Sequence, residues 1–168
     1  MIRSAQVADA AAIGELKVRA WRAAYGGFLS AACLAALDPA QEAADWREYL
    51  TDLPAAHRLW IVEFGGAAGG FCRTGPADGD PDLGPFAAEI YGLYLDPPLV
   101  GTGLGRQLFS HAVADLRGRG HFPICVYAYE PNRTAIAFYE RADFRVDGAT
   151  RLDEQDGTGV PEIRLVLT

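Results

Sequence analysis

The chain has 168 residues, half of them hydrophobic and 22% charged, with a formal net charge of −7. That length and balance describe a globular chain able to bury one sizeable core, and exclude a disordered one. The acidic balance speaks against a nucleic-acid surface, which needs a basic footprint; it reads either as a charge that keeps the protein soluble or as a field that draws in a cationic substrate. No apolar run approaches the length that spans a bilayer. The start, Met1-Ile2-Arg3-Ser4-Ala5-Gln6, lacks the apolar stretch of a secretory signal, so a cytoplasmic location is expected. Cys33, Cys72 and Cys125 are odd in number and widely spaced, and His57, His111 and His121 share no ligand spacing. Neither a disulfide framework nor a metal site is therefore expected.

Taken in chain order, Ile2 to Ala5 is a short first strand. Asp9 reads as an N-cap for a helix whose inner face is Ile13, Leu16, Ala20 and Ala24 and which ends near Gly26-Gly27. Asp38-Pro39-Ala40-Gln41 starts a second helix: Asp caps, Pro takes the first turn and Gln closes a capping box. Trp46, Tyr49, Leu50 and Leu53 are its buried stripe. Leu59 to Phe64 and Ala68 to Arg73 flank Gly65-Gly66 as a hairpin. Thr74 to Pro85, rich in Gly, Pro and Asp, reads as a loop, and Glu89 to Leu95 as the next strand. Leu104, Leu108, Ala112 and Leu116, with Phe109 and Val113 beside them, form an amphipathic helix stopped by Gly118 and Gly120. Ile124 to Tyr129 is a buried strand, and Pro131-Asn132 opens a helix running to Arg141. Phe144 to Val146 and Glu162 to Leu167 complete the set. Helices and strands alternate only in the centre, and strand pairs occur elsewhere. The prediction is α/β of the α+β type: a single mixed, mostly antiparallel sheet with helices on both faces, in one domain over residues 1–168.

The stretch from Leu93 to Leu108 runs from a strand through a Pro-marked break and a glycine loop into a helix. Gly101, Gly103 and Gly105 stand at alternate positions and free several N–H groups to point one way. The helix that follows adds its unpaired amides and the positive end of its dipole. That is a cradle for a phosphate or pyrophosphate, with a purely structural turn as the alternative. It is not the dinucleotide fingerprint, because Arg106 stands where its third glycine would be, and it is not a Walker loop, because no G-K-[S/T] follows.

Asn132-Arg133-Thr134-Ala135-Ile136-Ala137-Phe138-Tyr139-Glu140-Arg141-Ala142-Asp143-Phe144 resembles the N-x-x-A-x-x-F-Y-E-x-x-G-F signature of the GNAT superfamily of N-acetyltransferases, and Val100 to Gly105 resembles its acetyl-CoA loop, [Q/R]-x-x-G-x-[G/A]. Ile2-Arg3-Ser4-Ala5 with Asp9, Trp21-Arg22-Ala23-Ala24-Tyr25-Gly26 and the closing strand look like one branch of it, so the resemblance covers nearly the whole chain. There are two departures. Val100 stands where the loop has Gln or Arg, which removes a side-chain contact and leaves the backbone donors. Asp143 stands where the signature has Gly, and Asp tolerates the left-handed conformation better than most residues.

The resemblance implies a GNAT-like acyl-CoA N-acyltransferase fold and direct transfer of an acetyl group from acetyl-CoA to a primary amine of a small molecule or peptide, without a metal. The alternative is an acyl-CoA-binding or sensing module without catalysis. The chemistry needs an amine that has lost a proton, a fixed donor for the oxyanion and a proton for the departing thiolate. Glu89 is the candidate base, acting through water, against the reading of a solvated strand-end carboxylate. Tyr139 is the candidate acid, against a core aromatic whose hydroxyl only binds the sulfur. Backbone amides of Leu93, Tyr94 and Leu95 are expected to serve the thioester and pantetheine arm. Val100, Gly101, Thr102, Gly103, Leu104, Gly105 and Arg106 are expected to hold the pyrophosphate, Arg106 being otherwise a solvent-facing residue. Asn132 is both an N-cap and a candidate partner of the pantetheine arm. Trp21, Tyr25 and Phe28 are candidates for the acceptor wall, with core packing as the other reading of Trp21. Cys125 is expected to pack rather than react, and Ser110-His111 to be an exposed pair. The clusters Asp78-Gly79-Asp80-Pro81-Asp82 and Asp153-Glu154-Gln155-Asp156 read as solvated loops, of which the second is placed to flank the acceptor. A homodimer is compatible with the resemblance.

Overall fold

The computed structural model describes residues 1–152 and 157–168. The acidic run Asp153 to Asp156, which was expected to flank the acceptor, lies outside the described residues. Seven strands form one sheet in the order β1-β2-β3-β4-β5-β7-β6. They are β1 (Ile2–Ser4), β2 (Arg58–Phe64), β3 (Ala67–Pro76), β4 (Ala88–Leu95), β5 (Ile124–Tyr129), β6 (Arg145–Arg151) and β7 (Glu162–Leu167). Every neighbouring pair is antiparallel except β4 and β5. A parallel pair needs a crossover, and α4 (Leu104–Gly118) supplies it.

The apolar stripes decide which helix takes which face. Leu108, Phe109, Ala112 and Leu116 of α4, with Ile136 and Tyr139 of α5 (Arg133–Arg141), pack on Ala88, Ile90, Ile124, Val126 and Leu165. On the opposite face, Ile13, Leu16 and Ala20 of α1 (Ala10–Tyr25) meet Trp46 and Leu50 of α3 (Pro39–Thr51) over Leu59, Ile61 and Phe71. A short α2 (Ala31–Ala35) joins the two, its start capped by Ser30, which accepts from the Cys33 amide at 3.1 Å. Among the described residues no helix is long and apolar enough to cross a membrane.

Local readings differ from the structure at five places. Asp9 does not cap α1 with its side chain; its carboxylate takes the Gln6 amide and an ion pair from Arg3 at 2.8 Å, around a single 3-10 turn at Val7–Asp9. Asp38 caps α3 through the Ala40 amide, but Gln41 bonds Asp45 one turn on instead of closing a box. β3 continues through Thr74, Gly75 and Pro76, which read as loop. Gly75 is required inside that strand because a Cβ there would lie 2.6 Å from the Tyr91 ring. β6 extends to Arg151; it is an edge strand, mostly exposed, so it carries no apolar alternation to read. His111 is not an exposed residue: its ring packs edge-on against Trp60 at 4.4 Å. Asp143 does hold the left-handed turn, at φ 68°.

Candidate active site

The site is where the sheet comes apart. β4 and β5 pair only from Ala88 to Ile90 against Ile124 to Val126, and beyond that point their facing edges do not bond one another. β4 also carries an extra residue at this point. Thr74 pairs with Ile90 and Arg73 with Gly92, so Tyr91 is left over as a β-bulge. The bulge changes the phase of the strand. Ala88, Ile90, Leu93 and Leu95 all look toward α4 and α5, while Tyr94 joins the opposite core beside Phe71.

On the α4–α5 side, the gap opens into a cleft of about 510 Å³ between α1, the end of β4 and α5. Leu93, Tyr94, Leu95, Asn132, Ala135, Phe138 and Tyr139 line it, and none of its lining residues is charged. Val100 and Gly105 reach this wall, and Gly105 packs on Leu95. Gly101, Thr102, Gly103, Leu104 and Arg106 do not line it; they form the turn that leads into α4, with Arg106 exposed. Gly101 and Gly103 take φ of 85° and 90°, which side-chain-bearing residues avoid, and these turns leave the first amides of α4 without carbonyls ahead of them. Asn132 caps α5, its side-chain oxygen accepting from the Ala135 amide at 3.2 Å. Tyr139 is buried against Phe109 and Phe138 with its ring facing the gap. Burial pushes its phenol well above the ordinary value of 10.0, with Tyr94 and Cys72 adding to it. The hydroxyl is therefore protonated at any working pH and available as a donor.

A narrow space of about 90 Å³ runs through the gap itself. It shares Leu93, Asn132 and Tyr139 with the first cleft, and Trp21, Tyr91 and Gly92 with a second, larger one. Arg151 and Glu162 stand in its wall. Glu89 does not, and it is not a solvated strand-end residue: it is 4% exposed, and its carboxylate accepts from Arg151 Nη2 at 2.9 Å. Burial holds the Glu89 carboxyl above its ordinary 4.5 against the opposing pull of Arg151. The same guanidinium donates through Nε to Glu162 at 2.8 Å and lies 3.6 Å over the Tyr127 ring. Arg151 thus bridges two buried carboxylates, one facing the gap and one behind it. Sequence reasoning missed Glu162 because only the register of β7 with β5 turns it to this face. Asp80, also read as solvated, is buried and paired to Arg164 at 2.7 Å in a network with Asp82 and Asp147. Cys125 is fully buried among these groups, and burial pushes its thiol far above the reactive range.

The second cleft, about 820 Å³, lies on the other face between α1, α2, α3 and the bulge. Trp21 stands in its wall, along with Lys17, Cys33, Glu42, Trp46, Phe71, Arg73 and Tyr91. Tyr25 instead lines the gap and the uncharged cleft. Phe28 borders neither; it packs on Tyr25 and Tyr129 at 5.4 and 5.8 Å. Trp21 and Tyr25, in edge contact at 5.0 Å, therefore stand between the clefts, and Phe28 lies behind Tyr25.

Two clefts joined through a split sheet, with a glycine turn and a helix start at one mouth, define an acyl-CoA-type transferase architecture. The acetyltransferase (GNAT) family model matches residues 19–144, and the chain belongs to that family. A protein named Probable N-acetyltransferase in Mycobacterium tuberculosis is 29% identical over 171 residues, covering 96% of this chain and 90% of that protein. The mycothiol acetyltransferase of Geodermatophilus obscurus is 42% identical over 64 residues, 38% of this chain and 21% of that protein. The chain thus spans between 19% and 29% of the length of these mycothiol acetyltransferases. PaiA N-acetyltransferase of Thermoplasma acidophilum, solved in complex with coenzyme A, superposes with a TM-score of 0.74 at 16% identity over 98% of this chain and 96% of that one. YncA of Salmonella typhimurium, solved with acetyl-CoA, gives 0.71 at 21% identity over 100% and 92%. At those identities the likeness is one of fold.

Proposed function

We propose that residues 1–168 form a single N-acetyltransferase domain that moves an acetyl group from acetyl-CoA directly to a primary amine. The observation that carries this reading is the unbonded edge of β4 beyond Ile90, facing Tyr139 across a gap that opens to both sides of the sheet. A pantetheine arm is a chain of amides on an apolar frame. It suits an uncharged cleft with one free strand edge, to which it adds like a further strand. The amides of Gly101 and of Gly103 to Arg106, at the start of α4, then receive the pyrophosphate.

In this reading the acceptor enters from the charged cleft and meets the thioester at the gap. The proton leaving the amine passes by water to the carboxylates bridged by Arg151, Glu162 being the one that faces the gap and Glu89 its partner behind. Arg151 donates to both and fixes their direction. Amides of β4 at the bulge donate to the carbonyl oxygen as charge develops on it. Tyr139 gives its proton to the departing sulfur. A free thiol titrates near ~8.5 and a phenol near ~10, so this transfer is uphill by roughly 2 kcal/mol in water. Burial raises the Tyr139 phenol further, so full transfer requires a departing thiolate that is desolvated beside it. The test is release of free thiol from acetyl-CoA across a panel of primary amines. Turnover with at least one supports the reading; binding of acetyl-CoA without turnover of any amine replaces it with an acyl-CoA-binding module.

A further inference from the structure

Arg73 stands apart from the other arginines that the fold draws in. Arg3, Arg119, Arg151 and Arg164 each face a carboxylate within ion-pair distance. Among the described residues Arg73 has no such partner, and its Nε is buried without a hydrogen bond. Its guanidinium is held instead between two aromatic rings, 4.6 Å from the centre of Tyr49 and 4.8 Å from that of Tyr91. Both rings are themselves fixed. The Tyr91 hydroxyl donates to the Pro76 carbonyl at 2.6 Å, and the Tyr49 hydroxyl bonds His57 Nδ1 at 2.9 Å. Stacking of this kind orients a planar cation and leaves its edge donors open. Among the described residues the cation is therefore preorganised and without an ion-pair partner, in the wall of the larger cleft, on the residue paired in register with Gly92 at the mouth of the gap.

Among the described residues, the remaining charges of that cleft leave Arg73 as its reader of anions. Lys17 is matched by Glu42 at 3.0 Å, and Asp45 is exposed at the edge, bonded to Gln41. Trp21, Trp46, Phe71 and Tyr94 supply apolar wall between. We propose that the acceptor is an amine that carries a carboxylate in the same molecule, seated with that carboxylate on Arg73, its apolar part on the aromatic wall and its amine toward Gly92. This rests on the acetyltransferase reading and names the substrate class for it. The net charge of −7 does not oppose it, since remote charges are screened beyond about 8 Å at physiological ionic strength whereas Arg73 acts in contact.

Matched acceptors test it: tyrosine against tyrosinamide, and an aromatic dipeptide against its C-terminal amide, which separates single amino acids from peptides. Wild-type protein is expected to favour the carboxylate member of at least one pair by roughly 10- to 100-fold in kcat/KM, chiefly through KM, the scale of a charge-assisted hydrogen bond in a partly buried site. Arg73→Gln is expected to erase that preference and Arg73→Lys to keep part of it. Calorimetry of the same pairs on protein loaded with coenzyme A gives a readout that needs no turnover, and thermal melting shows that the variants are folded. Equal use of both members, preference for the amide, or a preference that survives Arg73→Gln overturns the inference. If amides are acetylated well and carboxylates are not, the acetyltransferase reading stands and only this assignment falls; if no amine is acetylated, both fall.

Discussion

The two clefts that meet at the split sheet are built in opposite ways. The cleft toward α4 and α5 has no charged lining residue and offers chiefly main-chain amides, apolar surface and neutral hydroxyl or amide side chains such as those of Tyr139 and Asn132. The cleft toward α1 and α3 is lined by Lys17, Glu42, Asp45 and Arg73 among aromatic rings. A ligand read by backbone needs short contiguous runs with glycine in set places. A ligand read by side chains needs only that distant residues converge. The first kind leaves motifs in a sequence, and the second does not.

Removing the phenol is the strongest blow to the first cleft. Tyr139→Phe is expected to lower kcat roughly 100-fold or more, within the usual range for a lost general acid, while acetyl-CoA affinity measured by calorimetry changes little. An unchanged kcat removes the acid role. Glu162→Gln tests which side owns the proton acceptor. Its effect on kcat/KM is expected to be on the order of tenfold on the acid side of neutrality, fading as pH approaches the amine's own pKa near ~10. A loss that does not vary with pH returns Glu162 to a structural ion pair. Gly103→Val strains a φ of 90° where a new Cβ meets no neighbour, so the cost falls on the direction of the amides and not on space. Strain of about 1–3 kcal/mol predicts acetyl-CoA binding weaker by roughly 5- to 100-fold, read by calorimetry.

Smaller effects sharpen the same contrast. The Glu89 carboxyl is held above its ordinary 4.5, so its ionisation opposes folding. That penalty is absent below the unfolded value, grows as pH rises toward the native one and is constant above it. Glu89→Gln should therefore gain stability relative to wild type as pH rises from 4 to 7, read by urea unfolding. A relative stability that is flat or falls over that range contradicts it. Val100 is exposed, so Val100→Gln should leave thermal stability alone and tighten acetyl-CoA by about two- to fivefold, one modest hydrogen bond. No change would mean that the loop works through its backbone alone.

Most of the fold was legible because its core strands and helices carry apolar periodicity of their own: Leu108, Ala112 and Leu116 on α4, and Ile124 and Val126 on β5. What escaped lacks such a signal. β6 is exposed, and the end of β3 is Thr-Gly-Pro, whose strand state depends on Ile90, Glu89 and Ala88 across from it. In the site, the glycine turn and the Asn132 to Phe144 signature announced themselves. The burial of Glu89, the facing of Glu162 and the exposure of Arg73 to a cleft are products of register between strands far apart in sequence, and no local pattern records them.

The leftover residue at Tyr91 makes the place of a deletion in β4 decide its effect. Deleting that one position would restore strict alternation and leave Leu93 and Leu95 toward the α4 layer and Tyr94 toward the α1 layer, so the loss would fall on the gap between the strands and not on either core. The fold should therefore survive the loss of Tyr91, whereas losing a residue between Leu93 and Leu95 would turn Leu95 off its core face.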